Sequence, residues 1–105
     1  MLKDSAEVAA EVLAALGHPN RIRILEYLSG AVRCNCEMAP GLGLEQSNLS
    51  RHLKILVQAG ILTSWKDGLR VNFKVSDPGV YRILELAKTL ARREAERKTE
   101  VLETS

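Results

Sequence analysis

Cysteine and aromatic residues are scarce in this chain, and long apolar runs are missing from it. Two cysteines, Cys34 and Cys36, stand on either side of Asn35, and one tryptophan, two tyrosines and one phenylalanine are the only aromatics in 105 residues. Two thiols this close in sequence exclude a structural disulfide framework, because so short a bridge is expected to be badly strained. No apolar stretch approaches the roughly 18 residues that a membrane-spanning helix needs, and the opening MLKDSAEV lacks an apolar signal region. The expectation is a cytoplasmic protein with no membrane partner. A length of 105 residues fits one domain, residues 1–105, with one modest core and little room for a deep substrate cleft.

Net charge of one sign is almost absent too, at +2, but it is unevenly spread. Residues 1–45 hold four basic and six acidic side chains, and residues 77–105 hold six of each. Between them, residues 46–76 hold Arg51, Lys54, Lys66, Arg70 and Lys74 against Asp67 alone, a net +4. That strip is where a polyanion would land.

Apolar spacing divides the chain into short elements. Ser5 to Leu16 is Ala-rich with Val8, Val12, Leu13 and Leu16 at helical spacing, and Gly17 ends it. His18-Pro19-Asn20 starts a second helix, with Pro19 suited to the first turn, and Ser29-Gly30 stops it. A third, short helix covers Cys36 to Leu42 and begins near Asn35 or Cys36, since Pro40 is tolerated best in a first turn. In the fourth, Gln46 to Ala59, Leu49, Leu53, Leu56 and Val57 make one buried stripe, opposite Ser47, Ser50, Arg51, Lys54 and Gln58. Ile61 to Lys66 and Leu69 to Val75 flank Asp67-Gly68, a hairpin dipeptide, and Leu69, Val71, Phe73 and Val75 are expected on one face. A last helix follows Asp77-Pro78 with Val80, Ile83, Leu84, Ala87, Leu90 and Ala91, and from Arg92 onward RREAERKTE reads as a solvated, fraying end.

Two helices joined by a short Gly-containing turn and followed by a basic hairpin is the organisation of a winged helix-turn-helix. The predicted fold is mainly α with a β-hairpin wing (α+β), in the order α-α-α-α-β-β-α. Such a fold suits double-stranded DNA, because a helix with polar residues at its start fits the major groove. Gln46, Ser47 and Asn48 are placed to read base edges, and Ser50, Arg51, His52 and Lys54 to hold phosphate or pack beneath it. Lys66, Arg70 and Lys74 would lie along a flanking backbone or minor groove.

Several motifs in order resemble the ArsR/SmtB-type metalloregulatory repressors over nearly the whole chain. Leu16, Pro19, Arg21, Ile24, Leu25 and Leu28 match their L-x-x-P-x-R-x-x-I-L-x-x-L run. The segment from Gly43 to Leu56 is similar to their recognition-helix segment, and Gly60-Ile61-Leu62 through Asp67-Gly68 to Val75 matches their wing in length. The resemblance implies a homodimeric repressor that leaves operator DNA when an inducer binds. Two features depart from it. Glu45 stands where a capping Ser is frequent, which weakens the cap and sets a carboxylate near DNA, and Trp65 and Leu69 occupy wing positions that are commonly arginine.

Cys34 and Cys36 fall where the arsenic-sensing branch of that family carries its C-x-C site. Two thiolates suit a soft ion, As(III) or Sb(III) by that resemblance, with Cd(II), Pb(II) and Hg(II) sharing the chemistry. At bonds of about 2.3 Å both sulfurs must come within roughly 4 Å. Residues two apart on an ideal helix point about 200° from each other, whereas an extended or unwound segment puts them on one side. Binding would therefore distort the start of the third helix, which leads through Gly41-Leu42-Gly43-Leu44 to the recognition helix. Arg33 and the helix start favour the thiolate. The branch often has a third Cys where this chain has Ala39, so water, a small thiol, Glu37 or a partner subunit would complete the ligands. No His lies between Asp77 and Leu90, which leaves the family's other metal site, built from His and carboxylates, without its His ligands. Two readings stand beside metal sensing: buried thiols that only pack, and a redox-responsive pair.

The first and last helices carry more apolar surface than one small core absorbs, and Val8, Val12, Leu16, Ile83, Leu84 and Leu90 are expected at a dimer interface. An enzyme is not expected: Cys36 and His52 are the only conceivable thiol and imidazole pair, with no third orienting group. A winged-helix module that binds protein is the remaining class, and weak retention on DNA at low salt would favour it.

Overall fold

The computed structural model describes residues 2–104, and the side chains of residues 2–100. The chain runs α1 (Ser5–Leu16), α2 (Pro19–Leu28), β1 (Arg33–Cys34), α3 (Asn35–Leu42), α4 (Gln46–Gln58), β2 (Leu62–Asp67), β3 (Arg70–Val75) and α5 (Gly79–Thr104). Local chemistry explains the boundaries. The Asp4 carboxylate accepts the Glu7 amide at 2.8 Å, and His18 Nδ1 accepts the Asn20 amide at 3.0 Å ahead of Pro19. Both caps satisfy amides that the first helical turn leaves without a partner. Gly43 turns α3 into α4 at φ 66°, a left-handed conformation that costs a residue without Cβ little.

The core is one cluster to which every helix contributes. Ile24, Leu25 and Leu28 of α2, Met38 of α3, Leu49 and Leu56 of α4 are fully buried, and Leu53, Leu62, Phe73, Val80 and Leu84 close around them. Each such side chain contributes about 1.5–3 kcal/mol relative to exposure. Tyr81 ties the start of α5 to the end of α2: its hydroxyl donates to the Leu25 carbonyl at 2.7 Å and accepts the Gly30 amide at 3.2 Å.

Four expectations are corrected. The sheet has three strands in the order β1-β3-β2, because Arg33 and Cys34 pair with Phe73 and Asn72; two residues carry no periodicity by which a strand can be read. The hairpin turn is Gly68-Leu69, closed by the pair Asp67 and Arg70, one residue later than expected. Leu69 consequently leaves the inward face and is fully exposed, while Gly68 takes φ 65°. Pro40 sits beyond the first turn of α3, tolerated because the helix ends two residues later and Gly43 closes it onto the Ala39 and Pro40 carbonyls. Finally, α5 does not fray at Arg92. It stays helical through the charged run, where Glu94 pairs with Arg97, since charges three and four apart support a helix without burial.

Tyr81→Phe removes both hydroxyl bonds and leaves the Leu25 carbonyl and the Gly30 amide short of a partner. A stability loss of about 1–2 kcal/mol is expected by urea denaturation; an unchanged midpoint would show that the hydroxyl does not hold α5 to α2.

Candidate nucleic-acid interface and cysteine pair

The recognition helix α4 is amphipathic at helical spacing, and burial fixes which face turns outward. Leu49, His52, Leu53 and Leu56 are buried, while Gln46, Ser47, Ser50, Arg51 and Lys54 are exposed and Asn48 is half-buried. Asn48 Oδ1 accepts from Arg51 Nη2 at 2.9 Å, so two of the polar side chains hold each other in place. Gly43, Leu44, Glu45, Ser47, Asn48 and Arg51 line a polar, open concavity at the helix start. Backbone amides and the positive end of the helix dipole face that side. Glu45 is the N-cap residue, and its side chain makes no capping bond, as its type implies.

His52 does not belong to this outward set. Three and four residues from Leu49 and Leu56, it falls on the buried stripe, with 4% of its surface exposed. Its Nδ1 lies 3.1 Å from Arg21 Nη1, and its ring is 4.5 Å from that of His18. A guanidinium can only donate, so Nδ1 accepts and the neutral ring is the form that fits. Burial, followed by His18, Arg21 and Arg51 nearby, lowers its pKa below the ordinary value of 6.5. Arg21 also donates from Nε to the Ala15 carbonyl at 2.6 Å and from Nη2 to the Ala14 carbonyl at 3.4 Å. One arginine of α2 thus joins the end of α1 to α4. Its place in the L-x-x-P-x-R run was legible in the sequence; its partner was not.

Strand register sorts the wing cations. Opposite residues share a face of an antiparallel pair. Arg70 stands opposite Asp67, Lys74 opposite Thr63 and Trp65 opposite Asn72, all on one face. Lys66 stands opposite Val71 on the other, the face whose Val71 and Phe73 form a groove of about 320 Å³ with Asn35, Ser50, Lys54 and Gln58. The three cations therefore do not form one row. Lys74 Nζ lies 5.9 Å from the centre of the half-exposed Trp65 ring, a cation–π distance.

Cys34 and Cys36 are joined by a disulfide, with their Cα atoms 5.3 Å apart. The expectation that so short a bridge is excluded is overturned by where it lies. Cys34 is extended, at φ −87° and ψ 157°, and ends β1, while Cys36 is in the first turn of α3. A straight helix would point the two side chains apart, and a straight strand would put them on one side but about 6.5–7 Å apart at Cα; the strand-to-helix bend keeps them on one side and brings the Cα separation within the usual disulfide range. Cys34 is buried and Cys36 exposed. Glu37 Oε1 lies 3.5 Å from Cys34 Sγ, and Arg33 pairs with Glu37 at 3.6 Å while its guanidinium stands 5.7 Å over the Tyr27 ring. Among the described residues no group of three or more His, Cys, Asp or Glu is arranged to hold a metal ion. A soft ion would fit as a guest of the two sulfurs after reduction, with the Glu37 carboxylate beside them.

Of the residues expected at a dimer interface, Leu16 and Leu84 are 4% and 6% exposed and spend their side chains in the protomer's own core. Both lie on the inward side of their helices, which the width of the apolar face concealed. Val8, Ile83 and Leu90 are exposed, as are Leu13 and Leu86, and Val12 and Ile83 line a groove between α1 and α5.

The three-stranded sheet, the paired helices α3 and α4 and the hairpin define a winged helix-turn-helix regulator. The pattern described as "Bacterial regulatory protein, arsR family" matches residues 18–64. An uncharacterized HTH-type transcriptional regulator of Mycobacterium tuberculosis, Rv0081, is 35% identical over 98 residues, covering 92% of this chain and 86% of the relative. Its crystal structure superposes with a TM-score of 0.75 at 36% identity, covering 91% and 98% of the two chains. A probable mercury resistance operon repressor of Streptomyces lividans is 31% identical over 85 residues, 81% of this chain and 68% of that protein. The chain belongs to the ArsR family of transcriptional regulators.

Two outcomes follow for α4. As pH falls below 6.5 the unfolded chain takes up a proton that folded His52 resists, so stability is full above that value and is lost as pH drops through the lowered folded pKa. Urea midpoints at about pH 7.5 and about pH 5.5 should show the loss, and His52→Gln should reduce it. Glu45→Ser supplies the absent cap and removes a carboxylate from the helix start; it should add about 0.5–1 kcal/mol of stability and tighten DNA binding in the same preparation.

Proposed function

We propose that the chain is a homodimeric repressor of double-stranded operator DNA that lets go when Cys34 and Cys36, as thiolates, capture a thiophilic metal or metalloid ion. The observation that carries this reading is the meeting of the two sulfurs at the strand-to-helix bend, beside a carboxylate and at the start of a helix that adjoins α4. Arsenite-type As(III) or Sb(III) is the favoured inducer, from the resemblance of the C-x-C pair to the arsenic-sensing branch, and Cd(II), Pb(II) and Hg(II) bind by the same soft chemistry. Gln46, Ser47 and Asn48 read base edges, while Ser50, Arg51 and Lys54 hold phosphates beside them. Lys66, Arg70 and Lys74 hold phosphates flanking the wing. Val8, Val12, Ile83 and Leu90, with the exposed Leu13 and Leu86, meet a second copy, and a two-fold dimer reads half-sites roughly 34–36 Å apart.

A second reading is favoured by the bridge itself: the pair is a redox switch, with the disulfide as one signalling state. One experiment separates the two. In a mobility-shift assay on the promoter of its own gene, the reduced protein should bind, and arsenite should weaken binding by about tenfold or more, a coupling of about 1.4 kcal/mol. Cys34→Ser/Cys36→Ser should bind equally well and ignore the ion. A response to oxidation alone favours the redox switch, and indifference to arsenite, Cd(II) and oxidation together would sink sensing by this pair.

A further inference from the structure

We infer that the wing strand β3 carries the state of the cysteine pair to DNA; the inference rests on the sensing role proposed above and names its route. The element that changes shape when the sulfurs join or part is the bend between β1 and α3, and β1 is only two residues long. Both are paired to β3, Arg33 opposite Phe73 and Cys34 opposite Asn72. Asn72 is in turn opposite Trp65 of β2, so Cys34, Asn72 and Trp65 form one rung across all three strands. At the usual strand spacing that rung is about 10 Å long.

The cations of the wing lie at its middle strand. Arg70 and Lys74 stand two positions to either side of Asn72 and on its face, so a tilt of the Cys34 rung reaches them through a single strand. A ladder of short, directional hydrogen bonds is stiff, and a two-residue strand cannot shift without dragging its partner rungs. Phe73, opposite Arg33, is 7% exposed in the core and acts as the pivot.

The other path to DNA runs from α3 into α4 and is softer. Pro40 lacks the amide that would bond to the Cys36 carbonyl, and Gly43 makes the turn in a left-handed conformation. A disturbance at Cys36 is absorbed there more readily than one at Cys34 is absorbed by the ladder.

The test compares the disulfide form with the form opened by dithiothreitol, which gives up two electrons and two protons to the bridge and closes to its own cyclic disulfide. Trp65 is the only tryptophan and sits on the rung, so its emission in the free protein should shift on opening and stay constant in Cys34→Ser/Cys36→Ser treated alike. On operator DNA, the wild-type dissociation constant should differ about fivefold or more between the two forms. In Arg70→Ala/Lys74→Ala, measured at the same lowered salt, that ratio should shrink towards unity although binding through α4 persists. The same ratio in that variant as in wild type would overturn the route and assign the coupling to the α3–α4 turn. A wild-type affinity indifferent to the bridge would instead overturn the redox-switch reading, leaving metal capture to the arsenite assay; an unchanged Trp65 emission would then reject the mechanical coupling as well, and a shifted one would uphold it.

Discussion

The orientation of the recognition helix depends on one shared guanidinium. Arg21 bonds to the Ala14 and Ala15 carbonyls at the end of α1 and to His52 on the inner side of α4. A helix end leaves carbonyls without partners and carries partial negative charge, which a cation offsets. The imidazole needs a donor for its unprotonated nitrogen, since a buried polar atom left unpaired costs about 1–3 kcal/mol. Both requirements are met by one side chain, and α4 is held with His52, Leu49, Leu53 and Leu56 inward. The outward display of Ser47, Ser50, Arg51 and Lys54 follows from that rotation.

A second constraint links the cysteines to the wing. In the sequence, Cys34 and Cys36 precede the hairpin by a whole helix-turn-helix; in space, Cys34 lies opposite Asn72 on the strand that bears Arg70 and Lys74. The sheet short-circuits the chain. Register then gives the wing two faces, with Trp65, Arg70 and Lys74 on one and Lys66 on the other, above the groove next to α4.

Much of this was legible because periodicity and caps are local. The bounds of α1 and the start of α4 at Gln46 agree with the apolar spacing, and the His18-Pro19 start of α2 follows from side-chain type. What was not legible involves long-range partners. Strand β1 has no pattern of its own and exists because β3 offers a free edge. The Asp67-Gly68 dipeptide announced a hairpin, yet the turn fell on Gly68-Leu69, because cross-strand pairing of Phe73 with Ser64 sets the register. Leu16 and Leu84 were assigned to the dimer face by hydrophobicity alone, which cannot distinguish a protomer's own core from a partner's.

The order of the five helices and the hairpin, the basic strip from Arg51 to Lys74, the C-x-C pair and the motifs of the ArsR family are all readable from the amino-acid sequence. Each is a matter of residue type and near-neighbour spacing. The folded arrangement is what makes His52 a buried partner of Arg21 and brings Cys34 and Cys36 together at a bend. It also placed Cys34 on a rung with Asn72 and Trp65. Those outcomes depend on which strand edge and which helix face lie opposite one another, and packing of the whole core decides that.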